Sequence, residues 1–372
     1  MKVDKSKWEQ NFISDCIKTV KVKGAIQKKD YQQYGKYPII SQEKDFISGY
    51  CDSIENLNSI GEVVIFGDHT RVLKFVDFDF CVGADGVKVI RPSLDISAKY
   101  LFYFLTWADI PNNGYSRHFK FLKELSISYP PIPIQQVIAE ELDAVQGMID
   151  GYMNQIADLD VLAQSIFLDT FGNVATNDKH WDLIPMGQLG DLKNGLNYSK
   201  GERGKSVKII GVGDFQSIKS ISSFDNICSI EVKNISQEYL LHNGDIVFVR
   251  SNGNKNLVGR CLDVYPNGIE VTFSGFCIRF RKSVEIIKNK YLIALLTEAG
   301  FKKAHILKSN GIGIQNINQK LLANIPIPVP PISLQQHFAT QVEAIEKQKE
   351  LLRQQLTDVE TLMAERMQYY FS

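Results

Sequence analysis

A stretch that begins with two prolines occurs twice in this chain, at positions 200 residues apart. Residues 130–136 read Pro-Pro-Ile-Pro-Ile-Gln-Gln, and residues 330–336 read Pro-Pro-Ile-Ser-Leu-Gln-Gln. The agreement continues without a gap as far as Phe171 and Phe371. A repeat with so long a period predicts two copies of one structural plan, each a globular module followed by a helix.

Apolar residues in both repeats follow the spacing of a coiled coil. They recur at alternating steps of four and three residues over four heptads, in the same register in both copies. Two positions of the second seam are basic, Lys349 and Arg366. If they face an acidic partner helix, they could determine how the two helices pair and in which orientation. The positions predicted to pair the helices are Ile138, Leu142, Val145, Ile149, Ile156 and Leu159 with Val342, Ile345, Lys349, Leu352, Leu356 and Val359.

The repeats divide the chain into four predicted segments. Residues 1–129 and 176–329 form globular modules, and residues 130–175 and 330–372 form spacer helices. Each module contains a short apolar run entered through Gly and an acid, at 61–66 and 244–248, which indicates a buried strand. The predicted fold class is therefore α+β, with two mixed α/β domains in pseudo-two-fold arrangement, separated by a pair of long antiparallel coiled-coil helices.

The charges are distributed unevenly, although the formal net charge is zero. Residues 1–129 carry 18 Lys and Arg against 16 Asp and Glu, and residues 176–329 carry 20 against 13. Residues 130–175 have no Lys or Arg and seven acids, while residues 330–372 have four bases and six acids. Only the globular modules therefore suit contact with phosphates, although two ordinary protein surfaces would tolerate this balance as well.

The sequence contains no strong catalytic or metal-binding motif. Ser199 stands where a phosphate-binding loop needs its first glycine, and no two histidines are three or four residues apart. The six cysteines are scattered without a Cys-x-x-Cys pair, which is typical of reduced thiols in a cytosolic protein. No run of 18 apolar residues and no signal peptide is found. The chain is expected to be non-catalytic, without a metal or cofactor of its own.

Polar and basic side chains gather in loops that follow predicted strands in both modules. Arg, Asn, Gln and Ser side chains read base edges, and Lys and Arg bind backbone phosphates. Turn composition alone explains Asn and Gly in such loops, so the matching placement in both modules is what favours DNA contact. The predicted DNA-binding residues are His69, Thr70, Arg71, Lys74, Tyr115, Arg117, His118 and Lys120, and Arg250, Ser251, Asn252, Asn254, Lys255, Lys308, Ser309, Asn310 and Gln315.

Over essentially its whole length, the chain resembles the specificity subunit of a Type I restriction–modification enzyme. The residues that carry the resemblance are the Pro-Pro-Ile-x-x-Gln-Gln motif before each heptad helix, and residues 244–253 leading into Leu257-Val258-Gly259. The first module departs from this pattern, because residues 67–71 replace the Arg-Ser-Asn loop.

The resemblance implies a cytoplasmic, non-catalytic reader of a bipartite target in double-stranded DNA, built from two target-recognition domains. Its partners would be two modification subunits, which carry S-adenosylmethionine and methylate adenine, and restriction/translocase subunits. A helix of about 35 residues is roughly 50 Å long. If two such helices pair antiparallel, we expect the two half-targets to lie about one helical turn of DNA apart.

Other functions stay open at this point. A protein–protein adaptor with two binding modules on a coiled-coil spacer would explain the duplication, but not the matching basic loops. The recognition subunit of a related bifunctional restriction system would share all of these features. A magnesium nuclease built on Asp214, Glu231 and Lys233 is a further alternative.

Overall fold

The contacts of the chain divide it into two compact units. The structure is a computed structural model that describes residues 4–84, 86–93, 95–114, 116–198, 203–215, 220–254, 257–307 and 316–372. Unit 1 comprises residues 1–154 and 352–372, and unit 2 comprises residues 155–351. This division cuts both long helices, so each unit consists of one globular module and one half of each helix.

Unit 1 is built on two four-stranded sheets and a two-stranded ribbon. One sheet has the order β2-β9-β6-β7, the other has the order β4-β3-β8-β5, and β1 pairs with β10. Its elements are β1 (Glu9–Phe12), α1 (Ile13–Cys16), β2 (Ile17–Thr19), β3 (Tyr37–Ile40), β4 (Gly49–Cys51), β5 (Leu57–Asn58), β6 (Val63–Gly67), β7 (Leu73–Val76), β8 (Phe80–Val82), β9 (Val87–Pro92), α2 (Ala98–Trp107), α3 (Phe119–Lys123), β10 (Ser126–Tyr129) and the first part of α4 (Ile132–Phe171).

Unit 2 repeats this plan with a five-stranded sheet, a three-stranded sheet and a two-stranded ribbon. Its larger sheet has the order β12-β19-β16-β17-β14, a second has the order β15-β13-β18, and β11 pairs with β20. Its elements are β11 (Asp182–Pro185), α5 (Met186–Leu189), β12 (Gly190–Asn194), β13 (Lys205–Ile210), β14 (Ser220–Ile221), β15 (Ser229–Val232), β16 (Asp245–Val249), β17 (Cys261–Val264), β18 (Val271–Phe273), β19 (Cys277–Lys282), α6 (Asn289–Thr297), α7 (Ala299–Phe301), α8 (Gln319–Ala323), β20 (Pro326–Val329) and the first part of α9 (Ile332–Phe371), with a π-helical stretch at Lys302–Ile306.

The central strand of each unit is the apolar run found in the sequence. Every residue of β6 and of β16 is buried, because the strand has a neighbour on both edges and packing on both faces. In unit 1, β6 lies antiparallel between β7 and β9, and in unit 2, β16 lies antiparallel between β17 and β19. The loops that follow these two strands therefore leave from equivalent edges of equivalent sheets.

The first glutamine of the repeated Pro-Pro-Ile motif is a structural residue. The side chain of Gln135 is fully buried, accepts a hydrogen bond from the amide of Ser97 at 2.8 Å and donates to the carbonyls of Asp95 and Pro130, both at 2.7 Å. Gln335 makes the same three kinds of bond, with the amide of Lys288 at 2.8 Å and the carbonyls of Ile286 at 3.0 Å and Pro330 at 2.7 Å. The motif recurs because both units need this link between a long helix and the turn before α2 or α6.

The last residue of each repeat packs on the opposite module. The ring of Phe371, at the end of α9, lies 5.3 Å from that of Tyr100 in unit 1. The ring of Phe171, at the end of α4, lies 4.6 Å from that of Tyr291 in unit 2. Both tyrosines are fully buried, so each helix begins on one module and ends in the core of the other.

Within each unit the two helices pack antiparallel. In unit 1 the hydroxyl of Tyr370 donates to Glu141 at 2.7 Å, and Arg366 lies 3.2 Å from the same carboxylate. In unit 2 the ammonium of Lys349 lies 2.9 Å from Asp160. Of the predicted seam residues, Ile138, Leu142, Val145, Ile149, Ile345, Lys349, Leu352 and Val359 are buried, and Ile156, Leu159, Val342 and Leu356 are half-buried. The α+β class, with two sheet-rich modules and long helices, is confirmed.

Candidate nucleic-acid interface

Three loops of unit 1 meet at the edge of the sheet where β6 ends and β9 begins. The amide of Asp68 donates to the carbonyl of Gly86 at 2.7 Å, and the amide of His118 donates to the carbonyl of Asp68 at 2.8 Å. These bonds join residues 67–71, the turn before β9 and the residues that lead into α3. The two basic clusters that the sequence placed nearly 50 residues apart therefore form one surface, which we call loop junction 1.

Unit 2 has the same main-chain arrangement, which we call loop junction 2. The amide of Arg250 donates to the carbonyl of Phe276 at 2.8 Å, and the amide of Ile317 donates to the carbonyl of Arg250 at 2.9 Å. Arg250 thus takes the place of Asp68, Phe276 that of Gly86, and Ile317 that of His118. One backbone frame carries different side chains in the two units.

Asp68 and His118 hold loop junction 1 together. Both side chains are buried. The Oδ1 atom of Asp68 accepts a hydrogen bond from the amide of Phe119 at 2.9 Å, at the first turn of α3. The Nδ1 atom of His118 lies 3.0 Å from the carbonyl oxygen of Asp68. His118, which the sequence suggested as a DNA contact, is buried and braces the loop that carries its neighbours; its contact with DNA stays a prediction.

Lys74 is also a structural residue. Its side chain is buried, and its ammonium donates to the carbonyls of Ser41 at 2.9 Å, Asp45 at 2.6 Å and Phe46 at 3.3 Å. Burial lowers the pKa of Lys74 below its ordinary value, although Asp45 and Glu43 act in the opposite direction. An ammonium whose donors already bind three carbonyls is poorly placed to bind a phosphate. The placement of Lys74 therefore does not support its predicted DNA contact.

The remaining described residues of loop junction 1 reach the surface. Arg117, Lys120 and Thr70 are exposed, whereas His69 and Arg71 are half-buried. The Arg71 guanidinium donates to the carbonyl of Ile110 at 2.8 Å, and its backbone has a φ of 61°. A left-handed backbone is unfavourable for a residue with a side chain, so its use here indicates that the loop is held in one conformation.

Two further lysines, which no sequence pattern singled out, lie beside the same surface. The ammonium groups of Lys88, on β9, and Lys123, at the end of α3, lie 5.9 Å and 5.6 Å from the ring centroid of Phe119. Lys88 also lies 3.8 Å from the carboxylate of Asp68. The alternation of Val87, Lys88 and Val89 in the sequence indicates that Lys88 lies on the opposite face of a strand from the two valines. Only the folded structure shows that Lys88 lies close to Lys123.

Loop junction 2 presents mainly polar groups. One guanidinium nitrogen of Arg250 lies 3.4 Å from the carbonyl oxygen of Gly275, and Ser251 pairs with Asn316 in an isolated bridge. Arg250, Ser251 and Asn252 are half-buried, and Asn254 is exposed. The predicted contacts Tyr115, Lys255, Lys308, Ser309, Asn310 and Gln315 lie outside the described residues.

The nuclease alternative gains no support from the part of the chain that the structure describes. The Oδ2 atom of Asp214 accepts a hydrogen bond from the amide of Gly211 at 2.8 Å, within a single helical turn. Among the described residues, no group of three or more His, Cys, Asp or Glu side chains could hold a metal ion. Within the same residues, none of the helices has the length and apolar character that crossing a membrane requires.

A family model described as the Type I restriction modification DNA specificity domain matches the chain twice. The first match covers residues 5–158 and the second covers residues 178–361. Each match contains one globular module with its loop junction and most of the helix that follows.

Curated relatives of the chain are specificity subunits of Type I restriction enzymes. The StySPI subunit of Salmonella potsdam is 25% identical over 299 residues, which is 73% of this chain and 63% of the relative. The match thus spans less than two thirds of that relative's length. The EcoR124I/EcoR124II subunit of Escherichia coli is 23% identical over 342 residues, or 87% of this chain and 81% of the relative.

Two solved structures show a similar fold. The S subunit of a Type I restriction-modification system from M. genitalium aligns over 100% of this chain and 98% of its own, with a TM-score of 0.57 and 16% identity. A structure from a study of complex assembly and conformational transition of the type I R-M system aligns over 98% and 97%, with a TM-score of 0.52 and 13% identity.

Proposed function

We propose that the chain, which belongs to the Type I restriction–modification DNA specificity family, serves sequence-specific DNA recognition in such a system and that its two units read separate halves of a bipartite target. Loop junction 1 would read one half and loop junction 2 the other, both in double-stranded DNA. The two matches of the DNA specificity domain support one reading surface per unit.

The observation that carries this proposal is the shared backbone frame of the loop junctions. Asp68 and Arg250 make equivalent main-chain bonds, yet the residues after them differ completely. Specific recognition depends on which donors and acceptors meet the base edges, while the backbone sets where they stand. A common frame with unlike side chains is what two readers of unlike half-targets require.

Contacts with the DNA backbone would come from the cations around loop junction 1. Arg117 and Lys120 are exposed, and Lys88 and Lys123 flank the ring of Phe119. Phosphate contacts of this kind fix the position of a protein on the duplex without reading sequence. We assign base reading to His69, Thr70 and Arg71, and backbone binding to the four cations.

Catalysis would belong to the partners. Two modification subunits carrying S-adenosylmethionine would methylate the bound target, and restriction/translocase subunits would join them in the cytoplasm. The helical stretch 130–175 has seven acids and no Lys or Arg; Glu141 and Asp160 contact the other helix, while exposed acids such as Asp158 make the outer face a candidate surface for a basic partner. Such charges are also found on helix faces that contact only solvent. We assign this surface to a partner because a subunit that reads DNA without modifying it must bind the subunits that carry out the modification.

Methylation mapping in cells with and without this chain tests the proposal. One split motif should lose its methyl mark when the chain is absent. Exchanging residues 176–329 for those of another family member should alter one half of the motif and leave the other half and the spacer unchanged. If no motif depends on the chain, or if the exchange alters both halves, the assignment of one half-target to each unit is wrong.

A further inference from the structure

Phe276 presents an aromatic ring at the surface of loop junction 2. It lies in the short turn between β18 and β19, and 62% of its surface is exposed. Its neighbours Phe273 and Cys277 are fully buried, so the turn directs this one ring outward. The carbonyl of Phe276 accepts a hydrogen bond from the amide of Arg250. The ring therefore lies directly beside the predicted DNA-binding residues 250–254.

The turn that carries Phe276 is closely packed on the segment after β12. The amide of Gly275 donates to the carbonyl of Leu196 at 2.8 Å, and the amide of Leu196 donates to the carbonyl of Phe273 at the same distance. A Cβ atom on Gly275 would lie 2.1 Å from the Oδ1 atom of Asn197, so a side chain at this position would require that amide to move. A turn held in this way positions the ring before any ligand arrives, which lowers the entropic cost of binding.

Loop junction 1 has no side chain at the equivalent position. Gly86 provides the carbonyl there, with a φ of 84°. A Cβ atom on Gly86 would lie 2.9 Å from side-chain atoms of both Gln42 and His69, and the left-handed backbone adds strain, so a side chain like the one that unit 2 displays is unfavourable in unit 1. The ring is therefore a difference between the two reading surfaces and not a requirement of the shared frame.

We propose that Phe276 makes a nonpolar contact with a base of the half-target read by unit 2. This inference rests on the proposed function and adds a specificity-determining residue to it. The polar groups of Arg250, Ser251 and Asn252 suit base edges, and an aromatic ring adds what they lack, which is contact with a thymine methyl group or an exposed base face. Single exposed apolar residues are common on protein surfaces. Phe276 differs from them because its position within loop junction 2 is fixed.

The test compares Phe276→Ala with Ile269→Ala in the full chain, assembled with its modification partners. Ile269 is 48% exposed and lies in the turn at the other end of β18, which makes it a matched apolar control. Duplexes would carry the motif found by methylation mapping, with each half varied separately, over a series of salt concentrations. A nonpolar base contact predicts a loss of affinity of roughly ten- to hundredfold for Phe276→Ala.

Three features of that loss identify its origin. The slope of log affinity against log salt should be unchanged, because no phosphate contact is removed. Discrimination should weaken in one half of the motif only, and Ile269→Ala should behave as the wild type. Replacing thymine by uracil in that half separates a methyl contact from stacking, since stacking survives the replacement. If the ring stacks where two neighbouring bases have separated, 2-aminopurine placed at that base step should become more fluorescent.

Two results would overturn the inference and leave the proposed function in place. One is wild-type affinity and selectivity for Phe276→Ala, and the other is a loss shared equally by both halves. A wild-type complex that does not distinguish the mapped motif from random duplex would instead overturn the proposed function itself, and the inference with it.

Discussion

The ammonium of Lys349 lies 2.9 Å from the carboxylate of Asp160 on the other long helix, and the Lys349 side chain is only 6% exposed. Lys349 also lies 3.1 Å from Glu346 on its own helix. A lysine in an apolar seam costs stability relative to a hydrophobic residue, but it restricts which helix alignment can be satisfied. Arg366 and Glu141 form the corresponding contact in unit 1, at 3.2 Å.

We expect Asp160→Asn to destabilise unit 2 by about 0.5–1 kcal/mol, because Asp160 is half-exposed and Glu346 remains next to the lysine. The loss should vanish in a Lys349→Met background, where no charge needs a partner. A double-mutant cycle from chemical denaturation measures this coupling. Asp158→Asn removes the same charge from an exposed position of α4 and serves as the control. Equal losses from Asp158 and Asp160 would show that general helix charge, not the pair, is responsible.

Replacing Gln135 by Ala should destabilise unit 1 by about 1–3 kcal/mol, because three main-chain groups lose their partner, one of them in a buried bond and two in partly buried bonds. Gln335→Ala should do the same to unit 2. The chain offers matched controls in Gln136 and Gln336, which are exposed, and whose replacement should change stability by less than about 0.5 kcal/mol. Thermal unfolding of the four variants tests this. Similar melting temperatures for Gln135→Ala and Gln136→Ala would contradict the structural role of the motif.

The long helices and the repeated motif could be predicted from the sequence because both are local. Heptad spacing and paired prolines are visible within a few tens of residues. The loop junctions could not be derived in this way, since the bond between His118 and Asp68 joins residues 50 positions apart. The burial of Lys74 could not be predicted from the sequence for a related reason. It shares a face of β7 with buried Val76, and only the carbonyls of residues 41–46 make that position acceptable to a cation.

Lys74→Ala should therefore weaken folding and leave the electrostatics of DNA binding intact. Removing the ammonium leaves three carbonyls of the loop at 41–46 without their donor, which should cost about 1–3 kcal/mol. The salt slope of DNA binding should equal that of the wild type, because no phosphate contact is lost. Denaturation and binding isotherms at several salt concentrations measure the two quantities. A reduced slope together with wild-type stability would restore Lys74 as a phosphate contact.

Lys88→Gln and Lys123→Gln should each reduce the salt slope of DNA binding by about one, since each removes one expected phosphate contact. Affinity should fall similarly for all sequences, with the preference for the motif unchanged. Lys18 is an exposed lysine opposite Arg91, at the other end of β9 from Lys88, and Lys18→Gln is the matched control. Because Lys88 also neighbours Asp68, unfolding of Lys88→Gln should be followed in parallel. A slope that falls equally in the control would mean that net charge alone determines binding.

If the paired helices set the distance between the half-targets, a heptad added to both should lengthen the spacer in the recognised motif. Seven residues extend a helix by about 10.5 Å, or about three base pairs at 3.4 Å each. Insertions after Asn154 and after Leu351 fall at the division between the units and keep the heptad register. A fourteen-residue insertion in the exposed turn at 267–268 adds the same number of residues without lengthening a helix. Methylation mapping should show both halves of the motif preserved and only the spacer changed, whereas an unchanged spacer would mean that contacts outside the helices fix the distance.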